Sequence, residues 1–294
     1  MTGSATTPLV NTFWSGSRLS PVEIACLRSF MHRGIQVRLF SYDAIELPAG
    51  IEWVDAGEVL PRESLFHFDG SPAAFSDIFR YKLLRDEGGW WVDTDVVFTG
   101  SALPDCSHYW AWQDLRTINN AVLKFPRGDP LCASLLAESQ SRATDLTAWG
   151  ETGPQLLTEF VWGGRQDVHT QSVASTYPVH WLQAYYFWFP ELAPVVRRLS
   201  AEATFVHLWN SLYARMGLDL GQPVPAGSFL ATLAPGHIAP LDAVRRADAV
   251  ASIRNYLSAG WLPDIWPRIM PPEATLILPD ETPALQKETP PGEA

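Results

Sequence analysis

Asp93 and Asp95 stand two apart behind Trp90-Trp91-Val92, and they are the side chains best placed to do chemistry. On a strand, residues i and i+2 share a face, so a strand through Trp90–Phe98 turns both carboxylates the same way and Thr94 the other. Two adjacent carboxylates repel unless a cation lies between them. A hard divalent ion such as Mn²⁺ or Mg²⁺ takes one or two carboxylates, keeps some water and accepts further oxygens from phosphates. Upstream, Asp77 and Arg80 are three apart and share one side of a helix. Each pattern alone is common: D-x-D recurs in loops, and an i,i+3 ion pair is usually a solvated pair of little energetic value. Their context changes that reading, because two charges at the end of an apolar strand are costly without a ligand.

The elements that must hold these residues are spelled out around them. Ser71 suits an N-cap and Pro72 the first helical position, and Gly88-Gly89 can take the left-handed geometry that ends a helix. The aromatic and β-branched run that follows suits a strand. Earlier, Leu9-Val10-Asn11-Thr12-Phe13-Trp14 reads as a first strand, Ser20-Pro21-Val22-Glu23 as a capping box, and Ile35–Tyr42 as a second strand after Gly34. That strand–helix–strand unit calls for a right-handed crossover and parallel pairing. Ile51–Val54 adds a short strand, and residues 58–68 form a loop into the central helix. Tyr109–Trp112 and Ile118–Leu123 read as paired strands, and Asp129-Pro130 opens a helix reaching about Ser141.

These residues resemble a family. Ala74-Phe75-Ser76-Asp77-Ile78-Phe79-Arg80, followed by Gly88-Gly89-Trp90-Trp91-Val92-Asp93-Thr94-Asp95, is similar to the signature of DXD-type glycosyltransferases with a GT-A fold. The likeness is above all to glycosyltransferase family 32, which groups capsular-polysaccharide sugar transferases, yeast-type mannosyltransferases and α-1,4-galactosyltransferase-like enzymes. The glucosylating clostridial toxins share the same helix-to-DXD core. The resemblance is strong over about residues 9–100, patchy to about 215 and absent beyond.

What the resemblance implies is an α/β protein with a GT-A-like Rossmann-type mixed sheet flanked by helices. Its activity would be metal-dependent transfer, with retention, of a sugar from a nucleotide-diphosphate sugar, a UDP-sugar by expectation, to an acceptor hydroxyl. Asp93 and Asp95 would hold Mn²⁺ or Mg²⁺ against the diphosphate, and Asp77 and Arg80 would hold hydroxyls of the donor sugar. Asn119 or Asn120 would line that sugar. Trp14, at the end of the first strand, would stack on the base; burial as a core or capping indole is the competing reading. His207 follows the apolar pair Phe205-Val206 and would complete the metal's ligands, since two carboxylates and two phosphate oxygens leave an octahedral ion short. Trp209 would close over the diphosphate. Thr152-Gly153-Pro154 is similar to the family's turn before an acceptor-side helix. No carboxylate nucleophile can be assigned, so front-face attack through an oxocarbenium-like state is the expected route.

Composition sets the bounds. The 294 residues, 47% hydrophobic and 18% charged, belong to an ordinary globular chain with a sizeable core. A formal charge of −11 argues against nucleic acid or an anionic membrane as partner. Cys26, Cys106 and Cys132 are an odd set without metal spacing, which points to a reducing compartment. No apolar run is long enough to span a bilayer, so the expected place is the cytoplasm, with peripheral attachment to the inner membrane face as its variant. Tyr185–Phe189 is an aromatic run of core character. Residues 218–240 read as loop and 242–258 as an amphipathic helix. One transferase domain is expected over 1–270, with a Pro-rich disordered tail over 271–294. Two rival functions fit the residues alone: a metal-dependent nucleotidyl- or phosphotransferase, and a non-catalytic carbohydrate-binding protein suggested by the 13 tryptophans.

Overall fold

The computed structural model describes residues 7–164 and 169–258 together with Arg268 and Ile277. Apart from Ile277, the expected tail over 271–294 lies outside the described residues, as do the first six. The chain divides into two compact units, one of Met1–Pro178 with Glu202–His207 and the other of Val179–Ala201 with Leu208–Ala294.

The first unit is built on a seven-stranded sheet. Its strands are β1 (Leu9–Phe13), β2 (Gln36–Ser41), β3 (Ile51–Asp55), β4 (Gly89–Val92), β6 (Tyr109–Trp112), β7 (Ile118–Phe125) and β8 (Thr170–Gln171), in the order β3-β2-β1-β4-β7-β6-β8. The β3-β2-β1-β4 half is parallel, and β7 runs antiparallel to both β4 and β6. Strand β5 (Val96–Phe98) leaves this sheet and pairs antiparallel with β9 (Phe205–His207). Helices α1 (Pro21–Met31), α2 (Ala73–Glu87), α3 (Pro130–Arg142) and α4 (Pro154–Gly163) complete the unit. This is the α/β Rossmann-type mixed sheet flanked by helices that the sequence led us to expect.

Local chemistry explains most element boundaries. Ser20 and Glu23 form the expected capping box at the start of α1. Asp129 caps α3 by accepting the Cys132 amide at 3.0 Å. Helix α2 stops at Gly88, whose φ of +71° suits glycine. Its start falls one residue later than expected. Pro72 occupies the cap, while Ser71 pairs with Phe68 in a β-bridge and accepts the Ala73 amide at 3.2 Å.

The continuous strand expected over Trp90–Phe98 is corrected. The ladder to β7 ends with the Asp93 amide on the Ala121 carbonyl, and the Val96 amide then turns back to the Asp93 carbonyl at 3.1 Å. Asp93-Thr94-Asp95 is therefore a tight turn between strands of two different sheets, not one face of a single strand. Pairing in the main sheet still sends Trp90 and Trp91 to opposite faces. Trp91 packs among Phe79, Phe13 and Leu123 beneath α2, while Trp90 meets Tyr109 and Phe205 on the other side.

In the second unit Tyr185, Tyr186, Phe187, Trp188 and Phe189 are all buried, in keeping with core. The stretch 218–240, expected as loop, contains a short parallel pair, Val224–Pro225 with Ile238–Ala239, and the helix Phe229–Leu233 capped by Ser228. The helix over Ala243–Leu257 begins at an Asp242 cap. Among the described residues no helix is long and apolar enough to cross a membrane.

Candidate functional site

At the carboxyl end of β4 the central helix, the turn and β9 bring charged side chains together. Asp93 continues the alternation of β4, so its carboxylate lies on the Trp91 side, facing α2. Its Oδ1 accepts the Trp91 indole N–H at 2.8 Å and lies 3.1 Å from Arg80 Nη2, leaving Oδ2 for a further ligand. Asp95 lies beyond the turn, and its Oδ1 is 3.2 Å from His207 Nε2. That pairing follows from register: β5 and β9 set Val96 opposite His207, which delivers the imidazole beside Asp95 although the two are 112 positions apart.

Asp93, Asp95 and His207 each offer one ligand atom, and these atoms lie within 4.8 Å of one another. Two carboxylates and an imidazole form a donor set that suits Mn²⁺ well and Mg²⁺ less naturally. The close approach of the three ligand atoms fits such an ion.

Arg80 is buried and heavily engaged. Its Nη1 donates to the Asn120 carbonyl at 2.6 Å, Nε to the Ser76 carbonyl at 3.3 Å, and Nη2 to Ser76 Oγ at 3.2 Å. The guanidinium also sits over the Trp91 ring, 5.0 Å from its centroid. Burial acts to lower its pKa, but Asp93 and Asp77 outweigh that and hold it above the ordinary value.

Asp77 is equally enclosed. Its Oδ1 accepts Asn120 Nδ2 at 2.8 Å, its Oδ2 accepts the Thr152 hydroxyl at 2.8 Å, and Arg80 Nη2 lies 3.5 Å away. Burial pushes the Asp77 carboxyl up, against the pull of Arg80, Asn120 and Thr152. Burial raises Asp93 too, opposed by Arg80 and reinforced by Asp95.

The structure thus brings together Asp77, Arg80, Asp93, Asp95, Asn120 and His207. Asn119 points away from this group, donating to Gln113 Oε1 at 2.6 Å and accepting the Ala121 amide at 2.7 Å. Neighbours on a strand face opposite ways, so only one of the two asparagines can reach Asp77. Trp14 stands half-buried at the end of β1, its backbone amide on the Phe40 carbonyl at 2.8 Å. Trp209 belongs to the second unit, where its indole N–H donates to the Val179 carbonyl at 2.9 Å.

Three participants escaped the sequence reading. The Trp91 N–H was discoverable, since i and i+2 share a face. Thr152 was noted only as part of a turn. Tyr177, buried with its ring edge-on to His207 and its phenol driven well above the usual range by burial and then by Asp93, carried no sequence signal.

Fold and cluster together define an α/β protein with a candidate divalent-cation site at the carboxyl end of a central strand. No family model matches the chain. Among solved structures it is similar to the PaToxG glycosyltransferase, with 13% identity, a TM-score of 0.43, and 66% of this chain and 78% of that one covered. It is also similar to the glycosyltransferase GlyE of Streptococcus pneumoniae TIGR4, with 12% identity, a TM-score of 0.37, and 92% of this chain and 66% of that one covered. The apo form of GlyE gives a TM-score of 0.38 at the same coverage.

Proposed function

We propose that this protein is a metal-dependent retaining glycosyltransferase that moves a sugar from a nucleotide-diphosphate sugar, a UDP-sugar, to an acceptor hydroxyl. The observation that carries the reading is the Asp93–Asp95–His207 cluster lying beside the buried Asp77–Arg80 pair. Breaking the bond at the anomeric carbon leaves a diphosphate with growing negative charge, and a bound Mn²⁺ or Mg²⁺ supplies the opposing charge. Asp93, whose Oδ1 is held by Trp91 and Arg80, would be one of the residues to hold that ion. Asp95 and His207 complete the protein's share of the ligands.

In this reading Asp77 and Arg80 hold sugar hydroxyls, Asn120 rather than Asn119 supports them, and Trp14 stacks on the base. Stacking of that kind contributes about 1–3 kcal/mol. Attack comes from the front face, the leaving phosphate taking the acceptor's proton.

Calorimetry of UDP binding with Mn²⁺ and with EDTA, on the wild type and on Asp95→Asn, tests the proposal. Binding should require the metal in the wild type and be lost in the variant. Equal metal-dependent affinity in both removes the central assignment. Release of pyrophosphate rather than a nucleoside diphosphate during turnover moves the reading to a nucleotidyltransferase.

A further inference from the structure

A carboxylate, an amide and a hydroxyl join three elements beside the candidate site. Asp77 lies on α2, Asn120 on β7, and Thr152 in the turn that leads into α4. Asp77 Oδ1 takes the amide and Oδ2 takes the hydroxyl, both at 2.8 Å, and Thr152 is 1% exposed. The backbone of the turn is seated directly on this pair. A Cβ at Gly153 would lie 2.6 Å from Asp77 Oδ2 and 2.8 Å from Asn120 Nδ2, so no side chain fits there.

Such an arrangement does more than satisfy a buried charge. Arg80 and Asn120 already neutralise and hold Oδ1. The Thr152 hydroxyl has a single proton, and it is committed to Oδ2. Two contacts, one on each oxygen, fix the rotation of a carboxylate about its Cβ–Cγ bond; one contact leaves it free to turn. Oδ1 is taken up by Asn120 and Arg80, whereas Oδ2 has a second lone pair beside the one that accepts Thr152, so Asp77 keeps acceptor capacity there in a direction that Thr152 sets.

We propose that Thr152 is a positioning residue that aims Asp77 at the donor sugar, making sugar selectivity depend on the turn before α4. The inference rests on the nucleotide-sugar reading above. Thr152 does not face the diphosphate in this scheme, so its loss changes recognition of the sugar and spares that of the nucleotide. Threonine and valine have nearly the same shape, so Thr152→Val removes the proton while filling the same space, and Thr152→Ser restores it.

The test is calorimetry in Mn²⁺ on the wild type, Thr152→Val and Thr152→Ser, using UDP, UDP-glucose, UDP-galactose and UDP-N-acetylglucosamine as probes. The wild type should prefer one sugar nucleotide over UDP. In the valine variant that preference should fall roughly tenfold while UDP affinity stays within about twofold, and the serine variant should follow the wild type. If the valine variant is not folded by circular dichroism, Thr152→Ala is read in the same way. A valine variant that keeps its sugar preference, or loses UDP and UDP-sugar affinity in equal measure, overturns the proposal. So does a wild type that binds UDP and every sugar nucleotide alike. A wild type that binds no UDP with Mn²⁺ removes the functional reading and this inference with it, which separates the two failures.

Discussion

Gly153→Ala puts the seating of the turn to a quantitative test. The new methyl would lie 2.6 Å from Asp77 Oδ2 where ordinary contact begins near 3.4 Å, a shortfall of 0.8 Å, and it would crowd Asn120 Nδ2 as well. Neither neighbour can retreat cheaply. Asp77 is held by Asn120 and Thr152, and Asn120 in turn by Asp77 and, at 3.4 Å, by the Tyr81 hydroxyl. Overpacking of this kind costs about 1–3 kcal/mol. If the turn lifts away, the Thr152 hydrogen bond to a charged acceptor is lost too, about 1.5–3 kcal/mol more. Alanine's smaller unfolded-state entropy works the other way by only about 0.4–1 kcal/mol, too little to cancel the loss. Urea unfolding followed by tryptophan fluorescence should therefore show a net destabilisation of about 2–5 kcal/mol. In an Asp77→Ala background the same change still meets Asn120 Nδ2 at 2.8 Å, but the closest contact is gone and Asn120 has lost the carboxylate that holds it. The cost should therefore be smaller by at least about 1 kcal/mol, the difference being the coupling between the two positions. An unchanged midpoint for Gly153→Ala, or an equal cost in both backgrounds, would refute the reasoning.

Two further outcomes are expected. Trp91→Phe keeps a ring beneath Arg80 but removes the N–H that holds Asp93 Oδ1, so calorimetric Mn²⁺ affinity should drop roughly 10–100-fold; an unchanged affinity excludes Trp91 from aiming the ligand. The Asp77 carboxyl is raised in the folded state, which therefore holds its proton to higher pH than the unfolded chain does, and acidification from neutrality through that raised value favours folding. The stability of the wild type relative to Asp77→Asn should accordingly grow as pH falls towards the ordinary carboxylate value of about 3.9, measured by urea titration across pH; a difference independent of pH would show that Asp77 titrates normally.

Local signals made much of this fold legible. The Ser20–Glu23 capping box, the Gly88 stop, the Asp129 cap and the β6–β7 pair each depend on a few neighbouring residues, and each stands where expected. The turn at Asp93–Asp95 was not legible, because what ends the strand is pairing of β5 with β9, more than a hundred residues away. Spacing placed Asp77 and Arg80 on one helix side but could not reveal their burial, since an i,i+3 pair reads the same in solvent and in a core. Alternation along β7 told that Asn119 and Asn120 diverge without telling which one faces α2. Thr-Gly-Pro announced a turn, whereas the carboxylate on which the turn rests comes from 75 positions earlier.

The first unit is written into the chain in two pieces, and synthesis has an order. Residues up to 178 leave the ribosome first, with strands β1 to β8 available, but β9 follows only after residues 179–201 of the other unit. Until then β5 has an unpaired edge, and Phe30, Phe98, Trp90 and Tyr109 lack the Phe205 ring that packs on all four. An open edge beside exposed aromatic surface invites wrong pairing between nascent chains. A chain interrupted before residue 205 can offer a cation two carboxylates and no imidazole, so completing the cluster requires the late strand to be made and threaded home.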